Sequence, residues 1–220
     1  MSESLAGILV PLFCYLLGAV PFGLFVARVF GIEDIRKLGS GNIGATNVWR
    51  MAGAKAAVWV FIFDIGKGVA AVLMGKFKFG FFGSPTMSLE LFLAVCGIAA
   101  VVGHMFPVYL NFKGGKGVNT ALGVLVTLLP TQSMISLGAF VITLALSRYV
   151  SLGSIIASLT LCVVLIIERF GLGKTISTVY LILALTLAIL VIIAHRKNIA
   201  RLINGTESRF TFSSQSSGVK

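Results

Sequence analysis

Apolar residues in this chain gather into seven long runs, at residues 5–29, 54–74, 89–106, 118–129, 134–147, 152–167 and 175–194, separated by short polar stretches. A helix that crosses a bilayer needs about 20 consecutive apolar residues, so the pattern predicts an all-α chain with about seven transmembrane helices. The fourth and fifth runs are short, and only Pro130, Thr131, Gln132 and Ser133 part them. They read either as tilted helices or as one re-entrant pair. The first run follows Met-Ser-Glu with no basic region and continues to Phe30, too long for a signal-peptide core. It is therefore expected to remain as the first membrane helix.

Composition removes the soluble alternatives. Apolar residues make up 57% of the chain and charged residues 11%, with a mean hydropathy of +1.02, more apolar surface than a soluble core can hide. With 220 residues there is room for about eight crossings at most. One membrane domain over residues 1–209 is expected, with a serine-rich, unstructured tail at 210–220.

The net charge of +11 would suggest nucleic acid in a soluble protein, but here the basic residues lie between the apolar runs and after the last one. Thirteen of the 18 fall after the first, third, fifth and seventh runs or at their ends, among them Arg28, Arg50, Lys116, Arg148 and Arg201. Only Lys76, Lys78, Arg169 and Lys174 lie opposite, with Lys67 inside a run. The positive-inside rule then predicts an external N-terminus and a cytoplasmic C-terminus, with no nucleic acid partner. Cys14, Cys96 and Cys162 each sit inside an apolar run without metal-ligand spacing and read as small core residues.

Three polar, glycine-containing segments fall on the inferred cytoplasmic face. The first, from Gly39 to Arg50, reads Gly-Ser-Gly-Asn-Ile-Gly-Ala-Thr-Asn-Val-Trp-Arg. Such glycines let successive N–H groups form an anion-binding nest, to which Ser40, Asn42, Thr46, Asn47 and the Arg50 guanidinium add donors. A solvated loop with Arg50 as a membrane anchor is the plain alternative. The second segment contains Lys113-Gly114-Gly115-Lys116-Gly117-Val118. It lacks the Ser or Thr that a nucleotide-binding phosphate loop places after its lysine, so an NTPase is disfavoured. If the loop opens the fourth helix, helix N-terminus and Lys116 together favour an anion; contact with anionic lipid headgroups is the alternative. The third segment begins at His195, where a continuing helix would turn His195 and Asn198 toward one side.

Inside the second run, Asp64 and Lys67 lie one helical turn apart. Exposed to lipid they would be costly, so they are expected to face the interior as a structural ion pair.

Together these segments resemble the signature regions of the bacterial acyl-phosphate:glycerol-3-phosphate acyltransferase family. The likeness covers Gly39 to Arg50, Asp64 to Gly68, Gly103 to Thr120, the Ser151-Leu152-Gly153-Ser154 turn and His195 to Glu207, in this order and over nearly the whole chain. It implies a seven-helix enzyme of the bacterial cytoplasmic membrane, its active site open to the cytoplasm. Its substrates would be acyl phosphate and glycerol 3-phosphate, and it would use no metal, nucleotide, acyl-CoA or other cofactor. It further implies catalytic roles for Ser40, Arg50, Lys116, His195 and Asn198. Substrate contacts would come from these and from Gly41, Asn42, Thr46, Asn47, Gly114, Gly115 and Ser151. A soluble enzyme that makes acyl phosphate from acyl carrier protein is the partner the likeness implies, alongside membrane lipid. Two features depart from the family pattern: Asn119, where a small residue is expected, and the serine-rich tail beyond Glu207.

The residues fit that chemistry. Acyl phosphate is a mixed anhydride with a good leaving group, so catalysis needs a positioned hydroxyl and cations for the oxygens. No Ser-His-Asp set or His-Asp pair is evident near the loops, and a general base is not apparent in the sequence. An anion transporter would predict inverted repeats, which the two halves do not show. A scaffold with a basic face leaves the clustering of Ser, Asn, Thr and Gly with the charges unexplained.

Overall fold

The computed structural model describes residues 3–82 and 87–211, and every regular element among them is helical. The seven apolar runs appear in order as α1 (Glu3–Ala19) with α2 (Phe22–Val29), α3 (Ala45–Phe82), α4 (Leu89–Met105), α5 (Val118–Leu128), α6 (Pro130–Ser147), α7 (Val150–Ile166) and α8 (Thr178–Ala194), followed by the short α9 (Arg196–Ile203). Five stretches have the length and apolarity to cross a membrane: Gly7–Val29, Ala45–Phe79, Leu89–Leu110, Pro130–Ser147 and Val150–Gly171. A sixth is formed if α8 and α9 count as one broken span. At 11 residues and about 1.5 Å per residue, α5 is too short to cross a 30 Å hydrocarbon core alone. It is packed inside the bundle against α3, α4 and α6.

The outward surface carries large apolar side chains, including Leu12, Phe61, Ile142 and Ile189, as expected where lipid rather than water is the solvent. Interior seams are made by small residues. A Cβ on Gly68 of α3 would lie 2.2 Å from the Thr120 carbonyl of α5, and one on Gly123 would lie 2.1 Å from the Ile65 carbonyl. Backbone approach of this kind is how membrane helices pack closely, and it presses α5 against α3.

Four local breaks depart from the smooth spans that the apolar pattern suggests. The first span divides at Pro21, which has no N–H to carry the helix on; the Val20 carbonyl beside the break accepts from the Phe22 N–H at 3.0 Å and from Lys67 Nζ at 3.3 Å. The second helix starts nine residues before the apolar run, at Ala45, so that Thr46, Asn47 and Arg50 are helical rather than looped. It is kinked at Gly53, where φ 83° and ψ 178° define a conformation essentially confined to glycine. Pro130 begins α6 at the first-turn position, where a missing N–H costs nothing, and only Leu129 separates it from α5. The last span bends by 60° at His195, so His195 and Asn198 do not share one continuous helix as their spacing suggests. Residues 212–220 of the expected tail lie outside the described residues; Phe210 packs on Trp49 with ring centroids 5.1 Å apart.

Candidate active site

Because the helices alternate in direction, the starts of α3, α5 and α7 and the ends of α4, α6 and α8 meet at one end of the bundle. Between them lies an open cavity of about 500 Å³. Its walls include Ser40, Gly41, Asn42, Thr46, Asn47 and Arg50 from the first segment, Lys116 and Asn119 from the second, Ser151, and His195 and Asn198 from the third. Residues more than 150 positions apart in sequence thus share one concavity. Gly114 and Gly115 do not line it; they lie behind Lys116, their N–H groups donating to the carbonyls of Met105 (3.1 Å) and His104 (3.0 Å).

The first segment is shaped from within. Asn47 is 2% exposed; its Oδ1 accepts from the Ser40 N–H at 2.9 Å and its Nδ2 donates to the carbonyls of Leu38 and Asn42. Asn42 Oδ1 accepts from the Gly44 N–H at 2.8 Å, and the Gly41 N–H donates to Leu38. The N–H groups of Ser40, Gly41 and Gly44 are thus engaged within the segment itself. Arg50 Nη2 donates to the Ser208 carbonyl at 3.2 Å.

Lys116 stands where the loop enters α5, whose N-terminus carries no side-chain cap. Its Nζ donates to Asn198 Oδ1 at 2.7 Å. Burial pushes the Lys116 ammonium down to about 8; Glu207 opposes that shift while Arg201 and Arg50 add to it. The Asn198 amide is held at both ends, since its Nδ2 donates to Glu207 Oε1 at 2.6 Å. The same oxygen accepts from Ser151 Oγ at 2.7 Å, and Oε2 accepts from Arg201 Nε at 2.7 Å. Burial alone would raise the Glu207 carboxyl, but the bonds from Ser151, Asn198 and Arg201 outweigh it and hold the group below the ordinary carboxylate value.

The sequence matches the Glycerol-3-phosphate acyltransferase family over residues 8–205. A glycerol-3-phosphate acyltransferase of Syntrophomonas wolfei is 42% identical over 198 residues, covering 90% of this chain and 94% of that one. One from Rhizobium meliloti is 40% identical, with 90% and 89% covered. The crystal structure of PlsY, an integral membrane glycerol 3-phosphate acyltransferase in its glycerol 3-phosphate form, superposes with a TM-score of 0.80 at 38% identity, covering 93% of this chain and 96% of that one. Its lysophosphatidic acid form gives 0.78 at 36% identity, with 94% and 96% covered. The chain belongs to the glycerol-3-phosphate acyltransferase family. It is an integral membrane acyltransferase of phospholipid biosynthesis.

Within this acyltransferase His195 is 2% exposed and its Nδ1 lies 2.8 Å from the Val191 carbonyl. A carbonyl only accepts, so Nδ1 carries the proton and Nε2 is left as a lone-pair acceptor. The bend at His195 brings this ring and Asn198 to the same cavity. Asp64 pairs with Lys67 at 3.1 Å, both side chains almost wholly buried.

Several cavity residues escaped the sequence reading, among them Lys197, Arg201, Glu207 and His104. Glu207 is one of only seven acids in the chain and sits in a basic stretch; that isolation was the available signal. His104, one of two histidines, closes an apolar span just before the glycine loop, and Asp64 reaches it across two helices at 3.4 Å.

Proposed function

We propose that the protein transfers an acyl group from acyl phosphate to the 1-hydroxyl of glycerol 3-phosphate, releasing lysophosphatidic acid and inorganic phosphate. The observation that carries this reading is a cation-rich cavity that opens into an apolar one. Arg50, Lys116, Lys197 and Arg201 line the first. The second, about 180 Å³, is lined mainly by aliphatic side chains of α5 to α8 and shares Phe61, Val118, Asn119, Phe140 and Ser154 with the first. Phosphate groups match the cations and the uncapped start of α5, while an acyl chain matches the apolar extension.

In this reading the glycerol hydroxyl oxygen attacks the acyl carbonyl carbon, and the bond from that carbon to the phosphate oxygen breaks. The hydroxyl proton passes to a phosphate oxygen of the leaving group. His195 Nε2 accepts from the hydroxyl and orients it, Lys116 and Arg50 hold phosphate oxygens, and Ser40, Asn198 and Ser151 fix the remaining geometry. The charge pattern supports a site facing the cytoplasm of a bacterial inner membrane. A soluble enzyme that makes acyl phosphate from acyl carrier protein would deliver the donor there.

The test is to incubate purified protein with palmitoyl phosphate and glycerol 3-phosphate, following phosphate release together with lysophosphatidic acid by mass spectrometry. Both products should appear and both vanish in Lys116→Ala. Transfer from palmitoyl-CoA or acyl carrier protein, with acyl phosphate inert, would overturn the choice of donor. Loss of turnover in His195→Ala with substrate binding intact would replace the orienting role by general-base catalysis.

A further inference from the structure

We infer that His104, held against Asp64, is a positioning residue that sets the Lys116 loop for phosphate; this rests on the acyltransferase reading above. Three ionisable side chains lie together where lipid-spanning helices meet: Asp64 at 2% exposure, Lys67 at 3% and His104 at 5%. Asp64 Oδ1 is 3.1 Å from Lys67 Nζ and 3.4 Å from His104 Nδ1. Those two approaches aside, neither Asp64 Oδ1 nor His104 Nδ1 has a hydrogen-bond partner among the described residues. Buried ionisable groups inside a membrane bundle are costly and mark functional architecture, and an ion pair alone would not require the histidine.

The ring's other side explains its presence. A Cβ built on Gly115 would lie 2.0 Å from His104 Nε2 and 2.9 Å from both neighbouring ring carbons, and no other group comes as near. The imidazole therefore rests directly on the Gly115 backbone. His104 also accepts the Gly115 N–H through its own carbonyl at 3.0 Å, and Met105 accepts that of Gly114. Side chain and main chain of one residue thus grip the loop whose next residue is Lys116. A carboxylate only accepts, so Nδ1 faces Asp64 as the N–H, and Nε2 is the ring atom turned to the loop. The ring is fixed from α3 at one nitrogen and braces the loop at the other.

A cycle of variants tests the contact: His104→Asn, which keeps an amide N–H toward Asp64 but vacates the space beside Gly115, Gly115→Ala, and the two combined. Glycerol 3-phosphate affinity is read by calorimetry on the purified protein, and KM and kcat by phosphate release. Each single variant is expected to weaken binding and raise KM roughly 10-fold to 100-fold, the cost of misplacing a binding group by about 1 Å. The double variant should be no worse than His104→Asn alone, because the added methyl then fills the vacated space. Additive losses would overturn the brace. So would unchanged affinity with lost kcat in His104→Asn, which would make His104 a general base. If His104→Asn does not fold, His104→Ala with Gly115→Ala gives the same test. Wild-type protein that binds glycerol 3-phosphate but transfers nothing from acyl phosphate would refute the proposed reaction while leaving the binding cycle readable. Wild-type protein that binds none would overturn both.

Discussion

Charged side chains collect at both ends of the helix bundle, and the two collections differ in how they are arranged. Away from the cavity, Glu168 accepts from Gln132 Nε2 and Lys174 Nζ, each at 2.6 Å, and Arg169 donates to Thr178 at 2.8 Å. Glu90 accepts from Ser177. Each of these two carboxylates is met from another element, Glu168 by Lys174 and Gln132 and Glu90 by Ser177, across the ends of α4, α6, α7 and α8. At the cavity, four cations line one wall system with Glu207 as the single opposing carboxylate among the described residues, because Asp64 is already paired with Lys67. A cluster whose polar groups pair between elements ties helix ends together. An unbalanced and partly buried one stores positive potential that an anion can discharge, which is the property a phosphate-handling site needs.

The sharpest way to break this comparison is to remove one lysine from each end. Lys116→Met is expected to lower kcat/KM at least about 100-fold, the usual scale for a charge that stabilises a reacting group. Lys174→Met should leave activity within about twofold and cost under about 1 kcal/mol in thermal unfolding, since its partly exposed ion pair is screened by solvent. Comparable losses in steady-state assays of both would end the distinction.

Backbone strain belongs to the cavity end as well. Gly53→Ala should cost about 1–3 kcal/mol of stability, because its φ and ψ exclude a side chain. It should also lower activity by turning Arg50 out of the wall; a Tm change without loss of turnover would detach the kink from the site. Glu207→Gln is expected to reduce kcat/KM about 10-fold, as the loss of charge-assisted bonds loosens Ser151, Asn198 and Arg201 by roughly 1–2 kcal/mol. That variant distinguishes a carboxylate that orders cations from one that merely neutralises them.

The last expected effect is a pH limb. Lys116 holds a proton below about 8, the form that would hold phosphate in the proposed reaction; above it the amine is neutral. KM for glycerol 3-phosphate should rise as pH passes 8, by up to about 10-fold per unit, while Lys116→Arg shifts the limb beyond reach of the assay.

Much of this was legible before the fold. Apolar runs located the helices, since lipid demands long apolar helical segments whatever their neighbours. The three polar segments marked the site, and the Asp64–Lys67 pair followed from one-turn spacing. Three features were not legible. The break at Pro21 was hidden inside a continuous apolar run. The bend at His195 was hidden because its spacing to Asn198 suits a straight helix. The third is the double engagement of Asn47, which staples its own loop.

What the sequence determined by itself was therefore whatever depends on local chemistry: helices from apolar period, a basic face from charge distribution, and loop segments from glycine and proline. Tertiary structure alone decided which groups face one another. Glu207 meets Ser151 from 56 positions away and Lys116 meets Asn198 from 82. His104 stands on Gly115 because α4 turns back on itself through the loop, not because any spacing requires it. Such contacts depend on crossing points between helices, and those are set by small residues such as Gly68 and Gly123 that let backbones touch, a packing outcome that no single segment encodes.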